Sequence, residues 1–331
     1  MKRIFFTLLK KMPIVNSIYT PSFFYKNGHF STIYSAKLRV PPGLVQERER
    51  IILPDNDFID IDWSFTKNPS GKVAILLHGL EGNAQRTYIK GAANELLKND
   101  YNIAAMNYRG CSGENNLAYQ SYHSGKTDDL EFLITHILQK EVYQEIVLVG
   151  FSLGANLLLK YLGERDDHPK EIKKGVAISV PISLKGSLES LNERKNWPYR
   201  TVFLNSLRKK YKLKMKQYPD KMSATELKKV RTLKDFDDIY TSKAHGFKNA
   251  YDYYQKNSSK QFLPTIKIPV LILNAKNDSF LSTDCFPFEN AELSKFIYLE
   301  TPTFGGHVGF HYTNETYYSE KRTVTFLNEK L

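Results

Sequence analysis

The sequence predicts an α/β fold: a mostly parallel, doubly wound sheet with helices on both faces, built as a single domain over residues 1–331 with a helical insertion at 181–262. Three observations predict it. Short, continuous apolar runs, which is how strands buried on both faces read, alternate along the chain with stretches of helical period. One such run ends in Gly150-Phe151-Ser152-Leu153-Gly154 and passes directly into the helical Ala155 to Lys160. Late in the chain the alternation is broken by a segment far longer than the roughly 2 to 6 residues of an ordinary βα loop.

Taken in order, the chain opens on MKRIFFTLLKKMP, where Lys2, Arg3, Lys10 and Lys11 flank a short apolar run, Ile4 to Leu9. It is too interrupted for a signal peptide and lacks a small-residue cleavage site. A helix packed on the body is expected, with a membrane-surface helix as the alternative. From Arg50 a hairpin is expected: Ile51 to Leu53, a turn at Pro54 to Asp57, then Ile59, Ile61, Trp63 and Phe65 alternating with Asp60, Asp62 and Ser64. That alternation puts the aspartates on a wet face. Buried strands follow at Val73–Leu77, Asn102–Met106, Glu145–Val149, Gly175–Val180, Ile268–Leu273 and Phe296–Leu299, and helices at Tyr88–Lys98, Thr127–Gln139 and Gly154–Leu162. The segment 181–262 starts past the carboxyl end of a strand, where open α/β sheets place their ligand crevice, so it is expected to cap that crevice.

Composition narrows the class further. No apolar run approaches the roughly 20 residues of a membrane-spanning helix. Cys111 and Cys285 stand alone, which rules out a disulfide framework and fits a reducing, cytoplasmic location. The net charge of +12 is concentrated: Arg194 to Lys234 holds fourteen Lys or Arg against Asp220 and Glu226. Such a segment is either a solvated face or a contact for anionic lipid, and no nucleic-acid module accompanies it. At its centre Arg208, Lys209, Lys210, Lys212, Lys214 and Lys216 are interleaved with Tyr211, Leu213 and Met215. On a strand this pattern puts charge on one face; on a helix it spreads charge around the circumference.

The candidate chemistry sits at strand ends. G-x-S-x-G between strand and helix describes a nucleophile elbow, with Ser152 lifted above the sheet. A serine hydroxyl needs a base to take its proton, and in this arrangement a carboxylate and a histidine follow in the order Ser, Asp, His. Asp278 follows the run Val270 to Leu273, and His307, flanked by glycines, follows Phe296 to Leu299. His245, His311, His123, His136, His168 and His29 lack that placement. His78 precedes Gly79-Leu80-Glu81-Gly82 and is read as bracing that loop, so that the backbone N–H groups of Leu80 and Leu153 form the oxyanion hole. No metal or cofactor is required. His123 and Asp128 form an H-x4-D pair, but Asp128 and Asp129 are better read as stabilising the first turn of the helix after Gly125.

These segments together resemble the YheT-like, or embryogenesis-associated, branch of the α/β-hydrolases. The likeness runs from NGHFSTIY at Asn27 through HGLEGN at His78, NYRGCSGE at Asn107, YHSGKTDDL at Tyr122 and GFSLGANLLLKYLGE at Gly150. It continues through FDDIYTSKAHGFKNAYDYY at Phe236, NAKND at Asn274 and GGHVGF at Gly305. Phe30-Ser31 stands where Leu-Gln is usual and Ala155 where a glycine often stands. The resemblance implies a serine carboxylic ester hydrolase for short- to medium-chain acyl esters, acting through an acyl-enzyme, with the triad on Ser152, Asp278 and His307. The partner it implies is a small-molecule or lipid ester; contact with an anionic membrane is read from the basic segment itself, and no nucleic acid is expected. The alternatives are transfer of the acyl group to an alcohol, as in some relatives of the branch, and a non-catalytic binding module, against which the intact triad argues.

Overall fold

Strand formation follows the apolar runs. The computed structural model describes residues 13–67, 70–313 and 315–331; the amino-terminal Ile4 to Leu9 segment and Pro69 lie outside the described residues. Nine strands form one sheet among the described residues: β1 (Ile14–Val15), β2 (Glu47–Ile52), β3 (Phe58–Ser64), β4 (Lys72–Leu77), β5 (Asn102–Asn107), β6 (Glu145–Phe151), β7 (Ile172–Ile178), β8 (Val270–Leu273) and β9 (Ile297–Glu300). Their order is β1-β9-β8-β7-β6-β4-β5-β3-β2. Neighbours are parallel from β1 to β5, while β3 joins β5, and β2 joins β3, antiparallel.

Side chains alternate between the two faces of a strand, and β4 shows the result. Val73, Ile75 and Leu77 enter one apolar cluster, with Leu130, Leu133 and Ile137 of α3 (Thr127–Leu138) and Leu158 and Leu162 of α4 (Leu153–Gly163). Ala74 and Leu76 enter another, with Ile89, Ala93 and Leu96 of α2 (Thr87–Leu97) and Phe326 of the helix Tyr318–Asn328. This is a doubly wound sheet, helices on both faces, as the alternation predicts.

The hairpin departs from expectation on one point. Asp60 and Asp62 are not a wet face; they are 1% and 2% exposed. The register sets Arg50 opposite Asp60 and Arg48 opposite Asp62. Each guanidinium forks onto its carboxylate, at 2.8 and 2.9 Å for Arg50 and at 2.7 and 3.0 Å for Arg48. Bidentate pairing of this kind lets a carboxylate leave water, and the partners lie on a strand that begins earlier than the apolar pattern indicates.

Between β7 and β8 the chain is helical. It includes α5 (Leu184–Asn192), α6 (Trp197–Gln217), with a proline in its first turn, and the helix Ala250–Asn257. These helices share an apolar cluster of their own, including Leu188, Leu207, Tyr211, Phe236, Tyr240 and Tyr253. The interleaved basic run is thus helical. Lys209, Lys212 and Lys216 face solvent, while Tyr211 and Lys214 are buried. Among the described residues, no helix is long and apolar enough to cross a membrane.

Candidate active site

At the end of β6 the chain turns sharply into α4, and Ser152 occupies the turn with φ 53° and ψ −119°. A non-glycine residue rarely adopts that backbone, at a cost of about 1–3 kcal/mol. The neighbours make it fit. A Cβ on Gly150 would lie 2.5 Å from the Gly154 carbonyl oxygen, and one on Gly154 would lie 2.4 Å from that of Leu77. Only glycines allow the helix to start this close to the sheet. The Ser152 N–H donates to the Ile178 carbonyl at 2.9 Å.

Two further loops converge on the elbow. After β8 the chain turns so that the Asp278 N–H donates to the Ala275 carbonyl, at 3.1 Å. The Asp278 side chain is fully buried; its Oδ1 accepts the Phe280 N–H at 2.9 Å, and Oδ2 lies 2.8 Å from His307 Nδ1. A carboxylate can only accept, so Nδ1 carries the proton and the lone pair of Nε2 faces Ser152 Oγ, 2.9 Å away. The Phe280 ring stacks on the imidazole with centroids 4.1 Å apart. The structure thus brings together the three residues singled out from the sequence.

The loop that carries His307 is held by residues to which sequence reading assigns no role of their own, among them Thr32, Ser35 and Ser179. The N–H of His307 donates to Thr32 Oγ1 at 2.8 Å, and that hydroxyl donates to the Gly28 carbonyl at 2.7 Å, within α1 (Gly28–Ile33). Asn27 caps α1, accepting the Phe30 N–H at 2.9 Å. Val308 has a φ of 57°, an outlier for a β-branched residue. It is fixed from both sides, its N–H donating to Ser179 Oγ at 2.9 Å and its carbonyl accepting from Ser35 Oγ at 3.0 Å. Gly306, with φ 59°, donates to Asn277 Oδ1 at 2.9 Å and so ties the loop of the base to that of the acid. The pattern Asn-x-x-Phe-Ser-Thr marks a helix start, but nothing local says what that helix supports.

The loop after β4 lies against the serine: a Cβ on Gly79 would be 3.1 Å from Ser152 Cβ. Leu80 and Leu153 line the same cavity as Ser152 and His307. Leu153 opens α4, so its N–H has no intrahelical partner. Among the described residues, no protein group accepts the Leu80 N–H. His78 is wholly buried, with Nδ1 at 2.8 Å from the Gly79 carbonyl and Nε2 accepting the Tyr108 N–H at 3.3 Å. Burial pushes it down to about 3. It is therefore a neutral brace for the loop, the role read from its position.

The other histidines have partners elsewhere. His311 stacks on Tyr25 at 3.6 Å, His123 packs on His245 at 4.5 Å, and His136 lies 2.8 Å from Glu49. Burial lowers His245 to about 4 and His123 as well. Asp128 is exposed and pairs with Lys126 at 3.2 Å, while Asp129 grips Arg109 at 2.8 Å.

A cavity of about 160 Å³ opens over the serine, walled by Leu184, Leu188 and Leu191 of α5 and by Phe203, Leu207, Lys210 and Lys214 of α6. The spacing of the last four puts them on one helix face. Lys210 and Lys214 are accordingly not part of a cationic surface, contrary to the expectation for the basic run. Lys214 donates to the Asn116 and Ala118 carbonyls at 2.7 and 2.5 Å, and burial lowers it to about 8. Lys210 pairs with Glu81 at 2.9 Å. Asn196, ahead of α6, donates to the Ser279 carbonyl at 2.7 Å, and Tyr199 meets His29 of α1 at 3.1 Å. The insertion therefore touches the acid loop, the brace of the base loop and the loop after β4.

Asp237 also lines the cavity, accepting from Tyr254 at 2.7 Å and Thr241 at 2.7 Å. Burial raises it from 3.8 to about 6. An acid that holds its proton more tightly when folded loses stability as pH rises through the interval between those two values. Asp237→Asn is expected to melt close to wild type at pH 4 and above it at pH 7.5. A melting difference that does not grow between those pH values in thermal unfolding would contradict this.

Residues 73–284 match the family model described as the α/β hydrolase fold. YheT of Escherichia coli (strain K12), provisionally named an esterase, is 31% identical over 293 residues, covering 86% of this chain and 85% of its own length. The monoacylglycerol lipase of Saccharomyces cerevisiae is 30% identical over 279 residues, 81% of this chain and 60% of that protein. The solved Pyrococcus furiosus esterase Pf2001 shares the fold with a TM-score of 0.56 and 20% identity, covering 87% of this chain and 94% of that one.

Proposed function

The chain belongs to the α/β-hydrolase family, in its YheT-like branch, as a hydrolase of ester substrates, and we propose that it cleaves carboxylic esters of short- to medium-chain acids through an acyl-enzyme on Ser152. The observation that carries this reading is the relay from Asp278 Oδ2 through His307 to Ser152 Oγ, at 2.8 and 2.9 Å, on a strained strand-to-helix elbow. Ser152 Oγ bonds to the acyl carbon while its proton passes to Nε2. The imidazolium is held by Asp278, and the N–H groups of Leu80 and Leu153 receive the oxyanion. On collapse the alcohol leaves with the proton from Nε2; water then repeats the sequence and frees the acid. The leucine and phenylalanine walls of the cavity suit an acyl chain.

The test is covalent. A fluorophosphonate should label the wild-type chain on the peptide containing Ser152, and esters of graded acyl length should show which chain the cavity takes. An adduct on any other residue, or cleavage of none of the esters, would reject the reading.

The same reading includes contact with an anionic bilayer. Lys209, Lys212 and Lys216 are exposed on α6, which also presents Trp197 and Val202, 59% and 60% exposed. Phe23 and Phe24, beside α1, are likewise open to solvent. Apolar and cationic groups on one surface are what an interfacial protein presents. Reversing Lys209, Lys212 and Lys216 to glutamate is expected to weaken binding to anionic vesicles more than about tenfold, from about 1 kcal/mol per basic residue. Cleavage of a short soluble ester should not change, since those side chains face away from the cavity. Equal vesicle binding at low salt would leave them a solvated face.

A further inference from the structure

We infer that Glu81 is a positioning residue for the oxyanion loop, and that α6 holds it in place through Ser206 and Lys210. The inference rests on the reading above, in which the Leu80 N–H receives the oxyanion. Glu81 directly follows Leu80 and has a φ of 54°, a left-handed conformation that a glutamate does not adopt without support. The support is dense. Its side chain is 5% exposed; Oε1 accepts from Tyr122 at 2.7 Å and from Lys210 at 2.9 Å, and Oε2 accepts the Ser206 hydroxyl. Its backbone N–H donates to the same Tyr122 oxygen at 3.0 Å, and its carbonyl accepts from Arg86 at 2.6 Å.

Two of these partners lie one turn apart on α6, the helix whose face closes the cavity. If α6 lifts, the carboxylate loses its only cation within ion-pair distance among the described residues and one of its hydroxyl donors. A carboxylate left buried without its cation draws in water or turns toward it. The left-handed turn then loses what fixes it, and the Leu80 N–H with it. Closure of the cavity and alignment of the donor are in this way a single event, and an open insertion leaves Ser152 and His307 in register but the oxyanion poorly held.

The experiment measures kcat, KM and the rate of fluorophosphonate labelling on a short soluble ester for wild type, Glu81→Ala, the α6 double variant Ser206→Ala with Lys210→Met, the combined triple variant, and Ser152→Ala. Glu81→Ala and the α6 double variant are each expected to lower kcat by about tenfold to a hundredfold, with KM within about twofold, as misplacement of a catalytic group does. The triple variant should be no slower than Glu81→Ala, because both lesions remove one device. An unchanged kcat in the α6 double variant overturns the inference, and so do losses that multiply in the triple variant. The α6 pair decides the matter even where Glu81→Ala does not fold, because it leaves the loop sequence intact. Persistent labelling of Ser152→Ala would instead reject the nucleophile assignment, which these rates identify separately.

Discussion

Ser152→Ala is expected to abolish ester cleavage and fluorophosphonate labelling, and His307→Ala to be nearly as damaging, each lowering kcat by about 10⁵- to 10⁶-fold. The size follows from geometry. Among the described residues Ser152 Oγ has one base in reach, His307 Nε2 at 2.9 Å, and without it the hydroxyl proton has nowhere to go as the acyl bond forms. The two groups act as a unit, so the double variant should be no slower than either single one. Both variants should melt near wild type, because the elbow is held by Gly150, Gly154 and the Ser152 backbone, and the base loop by Thr32 and Ser179. His245→Ala and His311→Ala serve as controls expected to stay active. A dead control beside an active His307→Ala would move the base elsewhere.

Asp278→Asn is expected to cost less, about 10⁴-fold in kcat, with little change in KM. The asparagine oxygen can still accept the Phe280 N–H, so the turn survives. Its amide, however, turns an N–H toward Nδ1, and the imidazole answers by placing its own proton on Nε2. The lone pair that should take the serine proton is then gone. Activity within about tenfold of wild type would mean that the acid does not set the tautomer.

The sheet was legible because strands buried on both faces leave continuous apolar runs, and Val73–Leu77, Asn102–Met106 and Glu145–Val149 all fall within observed strands. The short edge strand Ile14–Val15 was not, since two residues beside Pro13 carry no period. Ser152, Asp278 and His307 could be found because each follows a strand in a fixed order, and chain order survives folding. The buried Asp60 and Asp62 could not, because alternation reports which side chains share a face and not whether a partner arginine lies across the strand. Lys210 and Lys214 were misplaced for a related reason. Composition sees charge, whereas a helix turns about 100° per residue and carries those two onto the face of Phe203 and Leu207. The brace from Asn27 to Ser35 was visible as a helix start, yet its target lies at the far end of the chain.

That brace bears on synthesis. Thr32 and Ser35 leave the ribosome before His307 and Val308, which they secure and which are separated from them by 275 and 273 positions. A growing chain can form the elbow around Ser152 as soon as β4, β6 and β7 are out, since those contacts are nearer in sequence, whereas Thr32 and His307 must meet across 275 positions. The nascent polypeptide therefore carries a nucleophile with no base. For the reaction proposed here, the protein would be inert until the segment that carries His307 has been made and has met its brace.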